Sequence, residues 1–188
     1  MPTLPILLGK KTLASTRIFQ IEETHMRFSN GVERKFERIS GRAPGTVMII
    51  PMLDDETFLL IREYAPAENT YFLGFAKGAM DLDEDLLESA NRELMEEVGY
   101  GAKELTLLAK WSLSTAYFDA KMNIVLAKNL YPQKLEGDEP EPIEVIPWKI
   151  SDIDALLEHP EFHESRSIAA VLFLERMMLR TMQNLKTR

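Results

Sequence analysis

The chain has 188 residues, 45% of them hydrophobic, enough to bury one sizeable core with a small appendage, and no linker, repeat or low-complexity tract divides it. A formal net charge of -8 and a pI near 5.0 argue against a nucleic-acid polymer as the main partner, because that role normally needs a basic face. Zero cysteines exclude disulfides and thiol catalysis, no apolar run approaches the roughly 20 residues of a membrane span, and the short apolar start broken by Pro5 lacks the basic head and cleavage site of a signal peptide. These features predict a cytoplasmic protein with no membrane partner.

Taken in chain order, the first dozen residues carry no element signal. Residues 17–39 read as two strands around Asn30-Gly31, a strong hairpin signal because both residue types tolerate the positive φ of a tight turn. Phe19, Ile21, Met26, Phe28, Val32 and Phe36 give these strands more apolar surface than an isolated hairpin can leave in water. Core strands are predicted over 46–53 and 58–63, on either side of the polar turn Asp54-Asp55-Glu56. A helix is predicted over 85–98, then strands over 105–113 and 121–127 with a loop at 114–118. Residues 136–142, EGDEPEP, hold two prolines among acids and read as an acidic loop ahead of ordered chain at 143–148. Ser151 is placed as the cap of a short helix to Leu157. Ser165 or Glu164 opens a longer helix to about Leu185, whose face through Ile168, Val171, Leu172, Leu174, Glu175 and Met178 is expected on the sheet.

The helix over 85–98 carries the chemistry. At 100° per residue, Leu87, Ala90, Leu94 and Val98 fall on one side and face a core. Glu93, Glu96 and Glu97 share a neighbouring arc of about 100°, since positions three and four apart are spatial neighbours. Such like-charge pairs cost roughly 0.2–0.5 kcal/mol each, and the helix dipole also disfavours anions in the last turn. A cation is needed to offset them. Hard oxygen donors, with no Cys and with His25, His159 and His163 lacking ligand spacing, suit Mg²⁺ or Mn²⁺. On composition alone a solvated acidic face is the ordinary reading of such a helix. Arg92, whose planar fork can orient a carboxylate, and the bracketing Gly78 and Gly99 favour the metal site.

Gly78, Glu84, Arg92, Glu93, Leu94, Glu96, Glu97 and Gly99 stand at the spacing G-x5-E-x7-R-E-U-x-E-E-x-G-U, with U a bulky aliphatic, and Tyr100 at the last U is the one departure. At roughly 7% usage per residue, seven fixed letters coincide by chance with a probability of about 10⁻⁸ per starting position. The segment is identified as a Nudix box. Further stretches, FSNGVERKFER, LIREYA, LGFAKG, KMNIVLA and LYPQKLEGDEPEP, extend the resemblance over nearly the whole chain, toward the ADP-ribose pyrophosphatase-like Nudix enzymes and the bacterial hydrolases of ADP compounds among them.

This resemblance implies a Nudix α/β/α sandwich with a mixed sheet and an N-terminal β-hairpin region, divided into a strand region at 1–44 and a hydrolase domain at 45–188. It implies a homodimer formed by exchange of that strand region. The implied reaction is metal-dependent hydrolysis of the pyrophosphate bond in an adenine nucleotide diphosphate such as ADP-ribose, NADH or a diadenosine polyphosphate, releasing AMP. Glu93, Glu97 and Glu96 become metal ligands together with the main chain of Lys77, with Glu84 in support and Arg92 orienting. The loop segment Asp138-Glu139-Pro140-Glu141-Pro142-Ile143 matches a D-E-x-E-x-I pattern, which implies Glu139 as general base and Glu141 as a further ligand, although the two acids can exchange roles. Arg62 matches an arginine that contacts phosphate or ribose. Arg17, Arg38, Phe19 and Tyr117 are candidates for base and ribose, because guanidinium planes and aromatic faces both stack on adenine. Two positions depart from the subgroup: Thr115 replaces a proline, and Gly74 a glutamate. The rival readings are another nucleoside diphosphate derivative as substrate, and a non-catalytic nucleotide-binding domain.

Overall fold

The computed structural model describes residues 2–41 and 43–186; Met1, Arg42, Thr187 and Arg188, which fall within the two expected regions, lie outside the described residues. Three N-terminal strands, β1 (Ile6–Ser15), β2 (Phe19–Arg27) and β3 (Glu33–Gly41), form an antiparallel meander. Gly31, at φ 81°, makes the β2–β3 turn at the expected Asn30-Gly31. β1 was not expected. Every one of its residues is exposed, so it carries no buried apolar stripe to be read, and its pairing with β2 and the Lys10–Glu22 ion pair (2.6 Å) hold it.

The remaining strands are β4 (Thr46–Pro51), β5 (Thr57–Ala65), β6 (Thr70–Gly74), β7 (Lys77–Ala79), β8 (Tyr100–Ser114), β9 (Phe118–Pro132) and β10 (Glu144–Lys149). They divide into two sheets. One runs β1-β2-β3-β9-β4-β7 with β8 on the other edge of β9; the other runs β10-β5-β6. β9 lies parallel to both β3 and β4, and the sheet is therefore mixed. The short β6 and β7 were also unexpected: five and three residues are too few to display a period. The expected loop at 114–118 is the tight connection of the long β8–β9 hairpin.

Both faces of β4 and β5 are buried, which explains their continuous apolar runs. Val47, Ile49, Leu59 and Ile61 pack with Ala90, Leu94 and Val98 of the helical segment over 86–98. Met48, Ile50, Phe58 and Leu60 pack on the opposite side with Leu156, Phe162, Val171 and Leu174. The fold is an α/β/α sandwich. Its C-terminal layer holds α2 (Ile153–Leu157) and α3 (Ser165–Lys186). Ser151 does not cap α2; its hydroxyl bonds the Asp152 carboxylate at 2.9 Å. Glu164 does cap α3, accepting from the backbone N–H groups of Ser167 (2.8 Å) and Arg166 (3.2 Å). Val171 and Leu174 of the expected α3 face are fully buried, whereas Leu172 is exposed.

The helix expected over 85–98 is two elements. Asp85 caps α1 (Leu86–Glu93) by accepting from the Leu87 N–H at 2.8 Å, and a single π-helical turn follows over Leu94–Val98. Gly99, left-handed at φ 80°, donates its N–H to Leu94 O at 3.1 Å and ends the turn. The acids Glu96 and Glu97 stand on that widened turn, so the 100° arithmetic applies only up to Glu93.

Candidate active site

Arg92 is the hub of the box. Its guanidinium grips Glu84 through two bonds (2.8 and 3.0 Å) and reaches Glu93 (2.8 Å), Glu96 (2.9 Å), the Ala79 carbonyl (3.2 Å) and Ser89 Oγ (3.4 Å). A guanidinium has five N–H donors, and protein acceptors occupy them all. The loop between β7 and α1 is thereby clamped to the helix. The Arg92 bond holds the Glu84 carboxyl below its usual range, and the same bond leads the causes that raise the Arg92 pKa.

Glu97 is 5% exposed and accepts from the Lys77 N–H at 3.0 Å. Burial pushes its pKa up to about 8, against the opposing Lys77 charge and backbone bond. Burial also raises Glu93, against the pull of Arg92, and the charges of Glu96 and Glu139 add to the rise. β7 pairs with β4 through Lys77↔Met48 and Gly78↔Val47, which brings the strand against the helix. Gly78 has a specific reason to lack a side chain: a Cβ there would overlap the Glu93 carboxylate. The Lys77 ammonium pairs with Glu63 at 2.6 Å and sits 4.8 Å from the centre of the Phe72 ring.

No three of the described His, Asp or Glu side chains are already gathered around one metal-sized point. Glu93 and Glu96 turn to Arg92, and Glu97 to the Lys77 N–H. The donor set nevertheless fits a hard divalent cation. It is all oxygen, and two of its acids are buried with raised pKa values, the electrostatic condition that a bound positive charge relieves.

A cleft of about 910 Å³ opens beside these acids. Glu93, Glu96 and Glu97 form one wall, and the acidic loop with Glu139 and Glu141 faces them. The Glu139 carboxylate lies against Gly137, where a Cβ would overlap it. Arg62, on β5, also lines the cleft, paired with Glu144 and with Glu161 (3.0 Å). Arg17, Arg38 and Tyr117 do not line it. Arg17 is exposed between β1 and β2. Arg38 bridges Glu22 (3.2 Å) and Asp119 (2.9 Å), and Tyr117 stands exposed at the β8–β9 turn, its carbonyl accepting from the Ile39 N–H at 2.7 Å. Thr115 lies in that same turn. At Gly74 a Cβ would come within 2.9 Å of both Phe72 and Ser167 Oγ, so the glutamate of the subgroup would have to displace these side chains.

Tyr64, Tyr71 and the side chain of Lys77 give the cleft an aromatic and basic lining that no local pattern in the sequence marks. Tyr64 and Tyr71 pair directly across β5 and β6, so recognising the β5–β6 hairpin is what would have found them.

The family model described as the NUDIX domain matches residues 42–172, and that of the NudE-type Nudix hydrolase N-terminal domain matches residues 5–38. The chain is 48% identical over 176 residues to the ADP compounds hydrolase NudE of Escherichia coli (strain K12), covering 94% of each protein. It is 26% identical to an ADP-ribose pyrophosphatase of Bacillus subtilis (strain 168), over 89% of this chain and 91% of that one. A solved crystal structure of an ADP compounds hydrolase superposes with a TM-score of 0.86 at 46% identity, covering 97% of both chains. With the box assembled around Arg92 and matched across this length, the chain belongs to the Nudix hydrolase family and is an enzyme of it.

Proposed function

We propose that this enzyme hydrolyses the pyrophosphate bond of ADP-containing compounds, with ADP-ribose, NADH and short diadenosine polyphosphates as substrates and AMP as one product. The observation that carries the reading is the cleft itself, in which the box acids face an acidic loop across space sufficient for a nucleotide. The likeness along nearly the whole chain to a bacterial ADP compounds hydrolase supports the substrate class.

Glu93, Glu96, Glu97, Glu141 and the main-chain carbonyl of Lys77 are the groups to hold Mg²⁺, or Mn²⁺ in its place. Such a cation offsets phosphate charge and lowers the pKa of coordinated water. Glu139 takes the proton of the attacking water, whose oxygen forms a bond to one phosphorus while the bridging P–O bond breaks and its oxygen leaves with the other phosphoryl group. Arg92 keeps Glu93 and Glu96 oriented and has no donor left for substrate. Arg62 contacts phosphate or ribose, exchanging carboxylate partners for substrate oxygens. The strand region at 1–44 dimerises the hydrolase domain at 45–188, and Arg17, Arg38 and Tyr117 meet base and ribose at the site of the second copy. The cysteine-free, acidic chain is assigned to the cytoplasm.

Incubation with ADP-ribose, NADH, diadenosine triphosphate and deoxynucleoside triphosphates, with and without Mg²⁺, tests this. AMP is expected by chromatography from the first three and only with the cation. Turnover confined to deoxynucleotides would move the enzyme to another Nudix substrate, and binding without any product would make the domain a nucleotide sensor.

A further inference from the structure

The acidic loop is anchored firmly at both roots. At its start, Leu135 donates its N–H to Met95 O at 3.2 Å and the Lys134 ammonium binds Glu96 O, so the loop leaves directly from the π-helical turn. At its end, β10 pairs with β5 from Glu144↔Arg62 onward. Between those roots, among the described residues, one hydrogen bond fastens the loop to the rest of the fold: the Tyr71 hydroxyl donates to the Glu141 carboxylate. Tyr71 is itself braced. It pairs with Tyr64 across β5 and β6, and the two rings meet edge to face with centroids 5.7 Å apart. The Tyr64 hydroxyl in turn donates at 2.7 Å to Asn69, a left-handed residue (φ 54°) in the hairpin turn.

We infer that Tyr71 is a positioning residue, holding Glu141, and with it the loop that carries Glu139, in register with the box acids across the cleft. A carboxylate has two oxygens and about four lone-pair directions, so Glu141 can accept from Tyr71 and still turn free lone pairs to the cleft. A fixed outer partner of this kind typically contributes roughly 10–100-fold to cation affinity or rate. The inference rests on the proposed role of Glu141 as a ligand.

Y71F, E141Q and the double variant separate the two ideas, since phenylalanine keeps the edge-to-face contact with Tyr64 and removes only the donor. Each full-length protein is titrated with Mn²⁺ by electron paramagnetic resonance without substrate, and kcat and KM for ADP-ribose are measured. E141Q is expected to weaken Mn²⁺ binding. Y71F is expected to weaken it roughly tenfold and to lower kcat with KM unchanged, and the double variant is expected to be no worse than E141Q. An impaired E141Q beside a wild-type-like Y71F would overturn the role of Tyr71 and leave that of Glu141 standing. A silent E141Q would remove the ligand role itself, and additive losses in the double variant would show that Tyr71 acts independently of the loop.

Discussion

Glu97 concentrates the electrostatics of the site in one side chain. It is buried on the π-helical turn with a backbone N–H and a lysine for company, and its pKa lies near 8 instead of 4.5. Between those values the folded protein binds a proton that the unfolded chain releases. The stability of the cation-free enzyme should therefore fall as pH rises from about 4.5 through about 8. Thermal unfolding in a chelator at pH 5.5 and pH 8.5 reads this slope; Glu97→Gln should flatten it, and an unchanged slope would place the titration elsewhere. The same substitution should cut turnover by several orders of magnitude with the circular dichroism spectrum intact, because it weakens a ligand in a preorganised site. Glu139→Gln should lower kcat by roughly 10²–10⁴-fold, the usual contribution of a general base, and leave Mn²⁺ binding near wild type. If Glu139→Gln loosens Mn²⁺ and Glu141→Gln lowers only kcat, the two loop acids exchange roles.

At the level of elements, the site is built where β7, the π-helical turn and the acidic loop converge. β7 is too short to stand alone, but its pairing with β4 fixes the backbone at Lys77 and Gly78 against the helix. A methyl group at Gly78 would overlap the Glu93 carboxylate and force it to move. Gly78→Ala should displace the Glu93 carboxylate and reduce turnover on the order of 10²-fold, as ångström-scale misplacement does, without unfolding the sandwich. Steady-state kinetics beside a melting curve checks this, and full activity in Gly78→Ala would mean that Glu93 works equally well from another position. Gly99 has a different reason to be glycine. It is left-handed, and Gly99→Ala should lower stability by about 1 kcal/mol in denaturant titration through backbone strain.

On the scale of the whole molecule, the N-terminal meander joins the rest of the fold along a short seam, held by the Arg38–Asp119 ion pair (2.9 Å) and the Ile39 N–H to Tyr117 O bond (2.7 Å). β3 meets β9 through Ile39↔Phe118 and Ser40↔Asp119, and Ile6, Leu7, Leu13, Phe19 and Phe36 remain exposed. So much apolar surface on one sheet calls for a covering partner, and a second copy of the chain is the proposed one. Light scattering at micromolar concentration should give twice 21.5 kDa. A monomeric mass would defeat the dimer. Deletion of residues 1–39 should yield monomer or aggregate with impaired nucleotide binding; an active, dimeric truncation would move the interface, most simply to α3, where Leu172, Phe173 and Leu179 are exposed.

The sequence by itself determined whatever depends on near neighbours. The Asn30-Gly31 turn, the twice-buried strands β4 and β5 and the irregular EGDEPEP loop each follow from residues within a few positions of one another, where backbone preference and periodicity act, and the box from Gly78 to Tyr100 is legible as a fixed spacing that resembles a family pattern. Tertiary structure decided what is buried and what faces what. The box spacing singled out Glu96 and Glu97, but the period read along α1 fails beyond Glu93, because the π-helical turn they occupy is tied to the chain around Lys134 and Leu135, some 40 residues on. β1 escaped notice for lack of a buried face. Tyr71 lies 70 residues from Glu141, and Arg62 lies 99 from Glu161. Such pairs meet only after sheets formed by distant segments have closed, and no local pattern in the chain records their meeting.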